Sequence, residues 1–303
     1  VKKNYYLSPN TLDEALFFLD EHKSEATILA GGTDLIPRMW DKIICPSCFI
    51  DIHQLPLDFV RYEDKYVIIG ARVTHTQVID NTLLKKHLPL LIEACSEIAA
   101  PPIRNRGTIG GNLVNASPAA DTAPAFLVSD ADLVLHCMGS KRCVPVSSFF
   151  IGPGKTVIKP GEILTELKIP LPEPKTATKY IKLGLRNALA ISIVSIAAKI
   201  AIDDDGRITS ARIALGSVAP IPIRAVEAEA TLVGQFMDTD LIRAAANIAS
   251  HEASPISDIR ASAEYRHYMV EVLTRRILIS LFEQLRYEDA QLSKLGDRNV
   301  QAI

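Results

Sequence analysis

The sequence predicts a mixed helix-and-strand protein built from two domains, and three observations predict it. Short apolar strand patterns alternate with helical ones as far as Ile169. Pro170, Pro172 and Pro174, followed by Lys175 and Thr176, then read as a linker. Beyond it the pattern changes to long strands and then to three helices. A chain of 303 residues suits two domains of about 150 each.

The elements follow in order. Thr11-Leu-Asp-Glu14 has capping-box spacing, and Leu12, Ala15, Leu16 and Leu19 fall on one helical face. Ala26–Ala30, Cys48–Ile52 and Lys65–Ile69 read as short buried strands. Thr74 caps a short helix, and a longer one is expected over Leu83–Ala99, ending at Pro101-Pro102. A short helix over Asp121–Val128 precedes strands at Asp132–His136, Arg142–Val146 and Ile163–Ile169. After the linker, Thr178–Leu185, Ile191–Ile202 and Arg207–Leu215 read as strands, the last two joined by the Asp203-Asp204-Asp205-Gly206 turn. Helices are expected at Val226–Val233, Thr239–His251 and Ala261–Leu285. The last of these carries Tyr265, Tyr268, Met269, Val272, Leu273, Ile277, Leu281 and Leu285 at three- and four-residue spacing.

Composition excludes several classes. Hydrophobic content of 48% and charged content of 22% are those of an ordinary globular protein. A net charge of −2 gives no electrostatic footprint for nucleic acid or an anionic membrane. The longest apolar stretch, 191–202, contains Lys199 and is too short to span a bilayer. The N-terminal residues show no secretory pattern, and five cysteines, an odd number, do not form a disulfide framework. A reducing, cytoplasmic setting is expected. Cys45-Pro-Ser-Cys48 is a single pair, too few ligands for a closed metal site, so both cysteines are read as structural. No catalytic residue or metal ligand is assigned.

The stretch 100–124 breaks the periodicity. Gly107, Gly110 and Gly111 remove side chains where the backbone bends or approaches something closely. Thr108, Asn112, Asn115, Ser117 and Asp121 surround them with short hydrogen-bonding groups. A second such loop, Gly31-Gly32-Thr33-Asp34-Leu35, follows the apolar Thr27–Ala30. Two loops of this kind suit a ligand with a phosphate-containing spine, although each alone also reads as a tight turn. Neither matches the usual nucleotide fingerprints. Asp34 and Asp121, each taken alone, read equally as turn caps or ligand contacts; taken together with the two glycine loops, the ligand role is favoured. Arg104 and Arg106 are read as solvated charges, partner contacts or phosphate ligands.

Ala30-Gly-Gly-Thr-Asp-Leu35, Ile103-Arg-Asn-Arg-Gly-Thr-Ile-Gly-Gly-Asn112 and Ser117-Pro-Ala-Ala-Asp121 closely resemble the FAD-binding (medium) subunit of molybdenum hydroxylases. That family includes bacterial xanthine dehydrogenases and carbon monoxide dehydrogenases. The resemblance continues to Glu264-Tyr-Arg-His-Tyr-Met and Arg275-Arg276. It implies an α+β fold: a vanillyl-alcohol-oxidase-type (p-cresol methylhydroxylase-type) FAD-binding domain over 1–175, a small C-terminal domain of antiparallel strands and helices over 176–286, and a frayed polar tail over 287–303. It further implies that Leu29, Ala30, Gly31, Gly32, Thr33, Asp34 and Leu35, with Thr108, Ile109, Gly110, Gly111 and Asn112, wrap the FAD pyrophosphate. Asn115, Ser117 and Asp121 would hold ribityl and adenosine hydroxyls, with Leu164 and Lys182 beside the ring systems. Thr33-Asp34 stands where carbon monoxide dehydrogenases usually have His-Ser, which favours a xanthine-dehydrogenase-like relative.

The implied chemistry is electron relay. A molybdopterin-containing large subunit would oxidise substrate, a 2Fe-2S small subunit would deliver single electrons, and FAD would pass them to NAD⁺ or a quinone. The assembly would be a heterotrimer, alone or dimerised. A self-sufficient flavin oxidase of the same fold is the alternative, and it would need a positioned acid or base of its own.

Overall fold

A computed structural model describes residues 5–300 of the chain, with side chains through residue 287. The chain opens with β1 (Tyr5–Leu7), α1 (Leu12–His22), β2 (Ala26–Leu29), α2 (Leu35–Trp40) and β3 (Cys48–Asp51). These strands form a parallel sheet in the order β1-β3-β2. The Thr11 side chain accepts from the Glu14 amide, as the sequence predicts, and Ala15, Leu16 and Leu19 are buried with Cys48 and Ile50.

Next come β4 (Val60–Glu63) and β5 (Tyr66–Gly70), then six short helices: α3 (His75–Asp80), α4 (Thr82–His87), α5 (Pro89–Ser96), α6 (Pro101–Arg104), α7 (Ile109–Val114) and α8 (Thr122–Val128). β6 (Asp132–Cys137), β7 (Ser140–Pro145), the small ribbon of β8 (Phe150–Gly152) and β9 (Lys155–Thr156), and β10 (Ile163–Pro170) follow. β4-β5-β10-β6-β7 form an antiparallel sheet whose buried face packs on the helices.

The remaining elements are β11 (Thr176–Leu183), β12 (Val194–Ile202), β13 (Ile208–Gly216), β14 (Ile223–Arg224), α9 (Val226–Leu232), α10 (Thr239–Glu252) and α11 (Ala263–Val300). The strands form one antiparallel sheet in sequence order. One face buries Ile196, Ile200 and Ile213 against the last three helices. The other presents Tyr180, Ala197 and Ala214 to the core under α8. At the rim of that junction Asp130 meets Lys199, Arg212 and Arg224 at 3.3, 3.3 and 3.4 Å.

Several expectations are corrected. The helix over Leu83–Ala99 is two helices, because Pro89 cannot donate a backbone hydrogen bond and forces Leu88 out of helical geometry (φ −134°, ψ 55°). The aperiodic stretch 100–124 holds α6, α7 and the start of α8, too short for a hydrophobic period to show. α2, β1, β4, β14 and the β8–β9 ribbon carry little sequence signal and were not expected. On α11, Tyr265 and Tyr268 face outward; the buried stripe runs through Arg266, Val270, Leu273 and Ile277. The backbone of the expected tail belongs to α11 as far as Val300, and residues 301–303 lie outside the described residues. Among the described residues, no helix is long and apolar enough to cross a membrane.

Candidate functional site

The two glycine loops meet. A Cβ on Gly31 would lie 2.0 Å from the Arg106 carbonyl oxygen and 3.1 Å from Gly107 Cα, so only glycine permits this approach. Gly32 sits at φ +73° and turns the chain into α2. The amides of Gly31, Gly32, Thr33, Asp34 and Leu35 find no acceptor among the described residues. Such a run of open donors on a loop is an anion-binding concavity. The Asp34 side chain points outward and pairs with Arg38 at 3.7 Å, so it does not cap α2. Leu29 and Ala30 lead into the loop from β2, an edge strand.

The second loop is wired differently. Ile109 N–H donates to Val73 O and Gly110 N–H to Ala71 O, both at 2.9 Å. The Thr108 side chain caps α7 by accepting from Gly111 N–H at 3.0 Å. A Cβ on Gly110 would strike Ala71, whereas one on Gly111 would meet only the Thr108 hydroxyl. Gly111 therefore presents a bare, exposed backbone surface. Asn112 accepts from the Thr122 hydroxyl at 2.6 Å, and Ser117 accepts from Ala119 N–H. Asn115 is half-buried at the end of α7.

Beneath this loop lies His75, whose N–H donates to Gly107 O and whose Nδ1 is 3.7 Å from Cys95 Sγ. Burial, then the Arg104 charge, lower the His75 pKa to about 4. Burial pushes the Cys95 thiol far up, so it behaves as a small hydrophobe. Arg104 is not a free loop charge: it donates to Ile98 O at 2.7 Å. Arg106 is exposed.

Asp121 and Lys182 come together, an encounter that the sequence alone does not predict. Lys182 Nζ lies 2.7 Å from Asp121 Oδ2 and also donates to Glu97 O at 2.9 Å. Asp121 Oδ1 accepts from the Tyr180 hydroxyl at 3.1 Å and the Ser192 hydroxyl at 2.5 Å. Burial, then the Asp121 charge, push the Tyr180 phenol well above its ordinary range, so it remains a donor. All three donors belong to the segment after the linker, which makes Asp121 a clasp between the two halves. Beside it a 610 Å³ cleft opens between α4–α5 and the edge strand β11, lined by Lys85, Glu93, Glu97, Lys179, Tyr180 and Lys182 among others. Leu164 lies buried in β10, part of the main core.

Sequence reasoning missed Tyr180 and Ser192, and met Arg266 only inside the Glu264-Tyr-Arg-His-Tyr-Met motif, without a role. Arg266 carried a signal: it is a charge in line with the apolar stripe of α11. Cys48 is buried in β3, as the sequence predicts, while Cys45 is exposed. Among the described residues, no group of three or more His, Cys, Asp or Glu side chains is placed to hold a metal ion.

The sequence matches the family described as FAD binding domain in molybdopterin dehydrogenase over residues 2–172, and the CO dehydrogenase flavoprotein C-terminal domain over 179–281. The chain belongs to the FAD-binding medium subunits of the molybdenum hydroxylases. It is 34% identical over 272 residues to the xanthine dehydrogenase FAD-binding subunit of Escherichia coli, covering 88% of this chain and 92% of that protein. It is 32% identical over 285 residues to the nicotinate dehydrogenase FAD-subunit of Eubacterium barkeri, covering 92% and 96%. Among solved structures, the carbon monoxide dehydrogenase from Hydrogenophaga pseudoflava, in a form lacking the Mo-pyranopterin moiety, superposes with a TM-score of 0.89 at 32% identity. That match covers 93% of this chain and 98% of the other. The fold is thus that of the medium chains, an FAD-binding domain plus a C-terminal domain, and the cofactor of this oxidoreductase subunit is FAD. The residues present fit it: open amides for a pyrophosphate, a bare Gly111 surface, and a charged pair at the junction of the two halves.

Proposed function

We propose that this chain is the electron-relay subunit of a molybdenum hydroxylase, taking electrons from a 2Fe-2S small subunit and passing them to NAD⁺ or a quinone. A molybdopterin-containing large subunit would complete the heterotrimer, alone or dimerised. What carries this reading is the near end-to-end match to proteins named as FAD subunits and medium chains. The free thiols of all five cysteines support a reducing, cytoplasmic setting.

We assign residues 1–175 to the FAD domain and 176–286 to the C-terminal domain. The amides of Gly31–Leu35 hold the pyrophosphate, with Leu29 and Ala30 fixing the loop's origin. Thr108, Ile109, Gly110, Gly111 and Asn112 form the facing wall. Asn115 and Ser117 supply hydroxyl partners, Leu164 backs the adenine side, and the Asp121–Lys182 pair sets charge and orientation beside the flavin. Bound FAD would supply the redox chemistry; the chain contributes binding, orientation and electrostatics.

The test is stopped-flow spectroscopy of the FAD-loaded chain with purines and aldehydes. The chain alone is expected to keep its oxidised flavin band, and adding both partner subunits to restore substrate-dependent bleaching. Rapid bleaching of the lone chain by any substrate other than a reduced nicotinamide overturns the relay reading and favours a self-sufficient oxidase.

A further inference from the structure

The Asp121 clasp is held from a distance. Ser192, fully buried, donates through its hydroxyl to Asp121, and its own carbonyl accepts from Arg260 at 3.3 Å. The next carbonyl, Ile193 O, accepts from Arg266 at 2.9 Å. Arg266, the largest fully buried side chain among the described residues, uses the same nitrogen to reach Ser217 O at 2.8 Å. Its other terminal nitrogen donates to Asp258 at 2.8 Å, and Arg260 closes on the same carboxylate with its backbone and side chain.

The two carbonyls held by Arg266 flank two contacts with the cradle. Ile193 follows Ser192, which meets Asp121. Ser217 donates its N–H to Pro118 O at 2.9 Å, beside Ser117. Ser217 also sits at φ +65°, a left-handed conformation that a serine keeps only where surroundings impose it. Arg266 therefore staples the start of β12 to the end of β13, where Ser195 pairs with Gly216, and presents both ends to the cradle. A planar, permanently charged guanidinium suits this task because it donates in fixed directions to several carbonyls at once.

We propose that Ser192 is a positioning residue of the flavin site, and that Arg266 with Asp258 fixes it. Through Ser192 the C-terminal domain sets the orientation of Asp121 and, through Asp121, the placement of the Lys182 charge. With the Ser192 donor missing, the Tyr180 hydroxyl alone fixes Oδ1, and the carboxylate gains room to shift together with the ammonium it holds. The inference rests on the cradle reading above, which the unaltered chain tests separately: FAD should quench the emission of Trp40, the sole tryptophan, at the far end of the short helix α2 that the open loop leads into.

The experiment compares the full chain with Ser192→Ala and Ser192→Thr, measuring FAD affinity by Trp40 quenching and the midpoint potential of the bound flavin. Ser192→Ala is expected to bind FAD roughly ten-fold more weakly, the scale of one hydrogen bond to a charged group, and to shift the potential. Ser192→Thr, which keeps the hydroxyl, is expected to retain both. Unchanged affinity and potential in Ser192→Ala, or an equal loss in Ser192→Thr, overturns the proposal. Arg266→Lys is expected to reproduce the Ser192→Ala potential shift; a variant that folds and keeps the original potential removes Arg266 from the assignment.

Discussion

The two glycine loops look alike in sequence and differ in what their backbones are doing. Gly31–Leu35 leaves five consecutive amides without acceptors among the described residues. In Thr108–Asn112 the amides of Ile109, Gly110 and Gly111 already donate to Val73, Ala71 and the Thr108 hydroxyl. Open donors on a folded scaffold carry a cost unless water or a ligand meets them. The first loop is therefore the one proposed to grip the pyrophosphate, because its donors are still available. The second is a rigid wall, and its glycines serve close packing (Gly110 on Ala71) or leave a surface bare (Gly111). A glycine-rich motif thus says that the backbone comes close to something; only the hydrogen-bond inventory says whether that something is a ligand or the protein itself.

The strongest way to break this comparison is at the point where the loops touch. Gly31→Val would place a side chain inside the Arg106 carbonyl, and one loop must yield. Loss of FAD affinity by at least about 100-fold is expected, with a stability cost of about 1–3 kcal/mol from overpacking. Equilibrium binding and urea unfolding check both, and near-normal affinity would mean that the loops need not touch to hold the cofactor.

Acid should loosen the second loop. His75 is buried and neutral beneath Gly107, with its pKa lowered from 6.5 to about 4. Above pH 6.5 both the folded and unfolded forms are neutral and the contribution to stability is complete. As the pH falls toward 4 the unfolded chain takes up the proton first, so unfolding is favoured. The difference corresponds to roughly 3 kcal/mol. Urea midpoints between pH 7 and 4 should fall, and His75→Leu should flatten that part of the slope; an unaltered slope would place the acid sensitivity elsewhere.

A smaller effect is expected at the cap. Thr108→Ala removes the acceptor for Gly111 N–H and should cost about 1 kcal/mol. It also frees one amide in the wall, so the loss in FAD affinity should be smaller than that of Gly31→Val. A larger loss would assign the grip to the wrong loop.

Much of the frame was legible because single residues announce local events. Thr11 and Glu14 mark the start of α1, and Pro170, Pro172 and Pro174 fall where β10 gives way to β11. Pro89 carried an equally clear signal that a long apolar periodicity masked. α7 was not legible, since Gly110 and Gly111 lower its propensity and its six residues form because Thr108 caps them and Ile109 and Leu113 are buried. At the site, the loops and Asp121 stand out by residue type. The pairing of Asp121 with Lys182, Tyr180 and Ser192 does not, because it joins positions 59–71 residues apart. Such contacts depend on how the β11–β12 sheet docks under α8, which no local pattern encodes.

The division of labour between the loops is tested most directly by hydrogen exchange, resolved by residue, on the chain with and without FAD. The Gly31–Leu35 amides are expected to exchange quickly in the free chain and to become protected when FAD binds. Those of Ile109, Gly110 and Gly111 are expected to be slow in both states. Fast exchange in the second loop that FAD suppresses, with no change at Gly31–Leu35, would contradict the assignment.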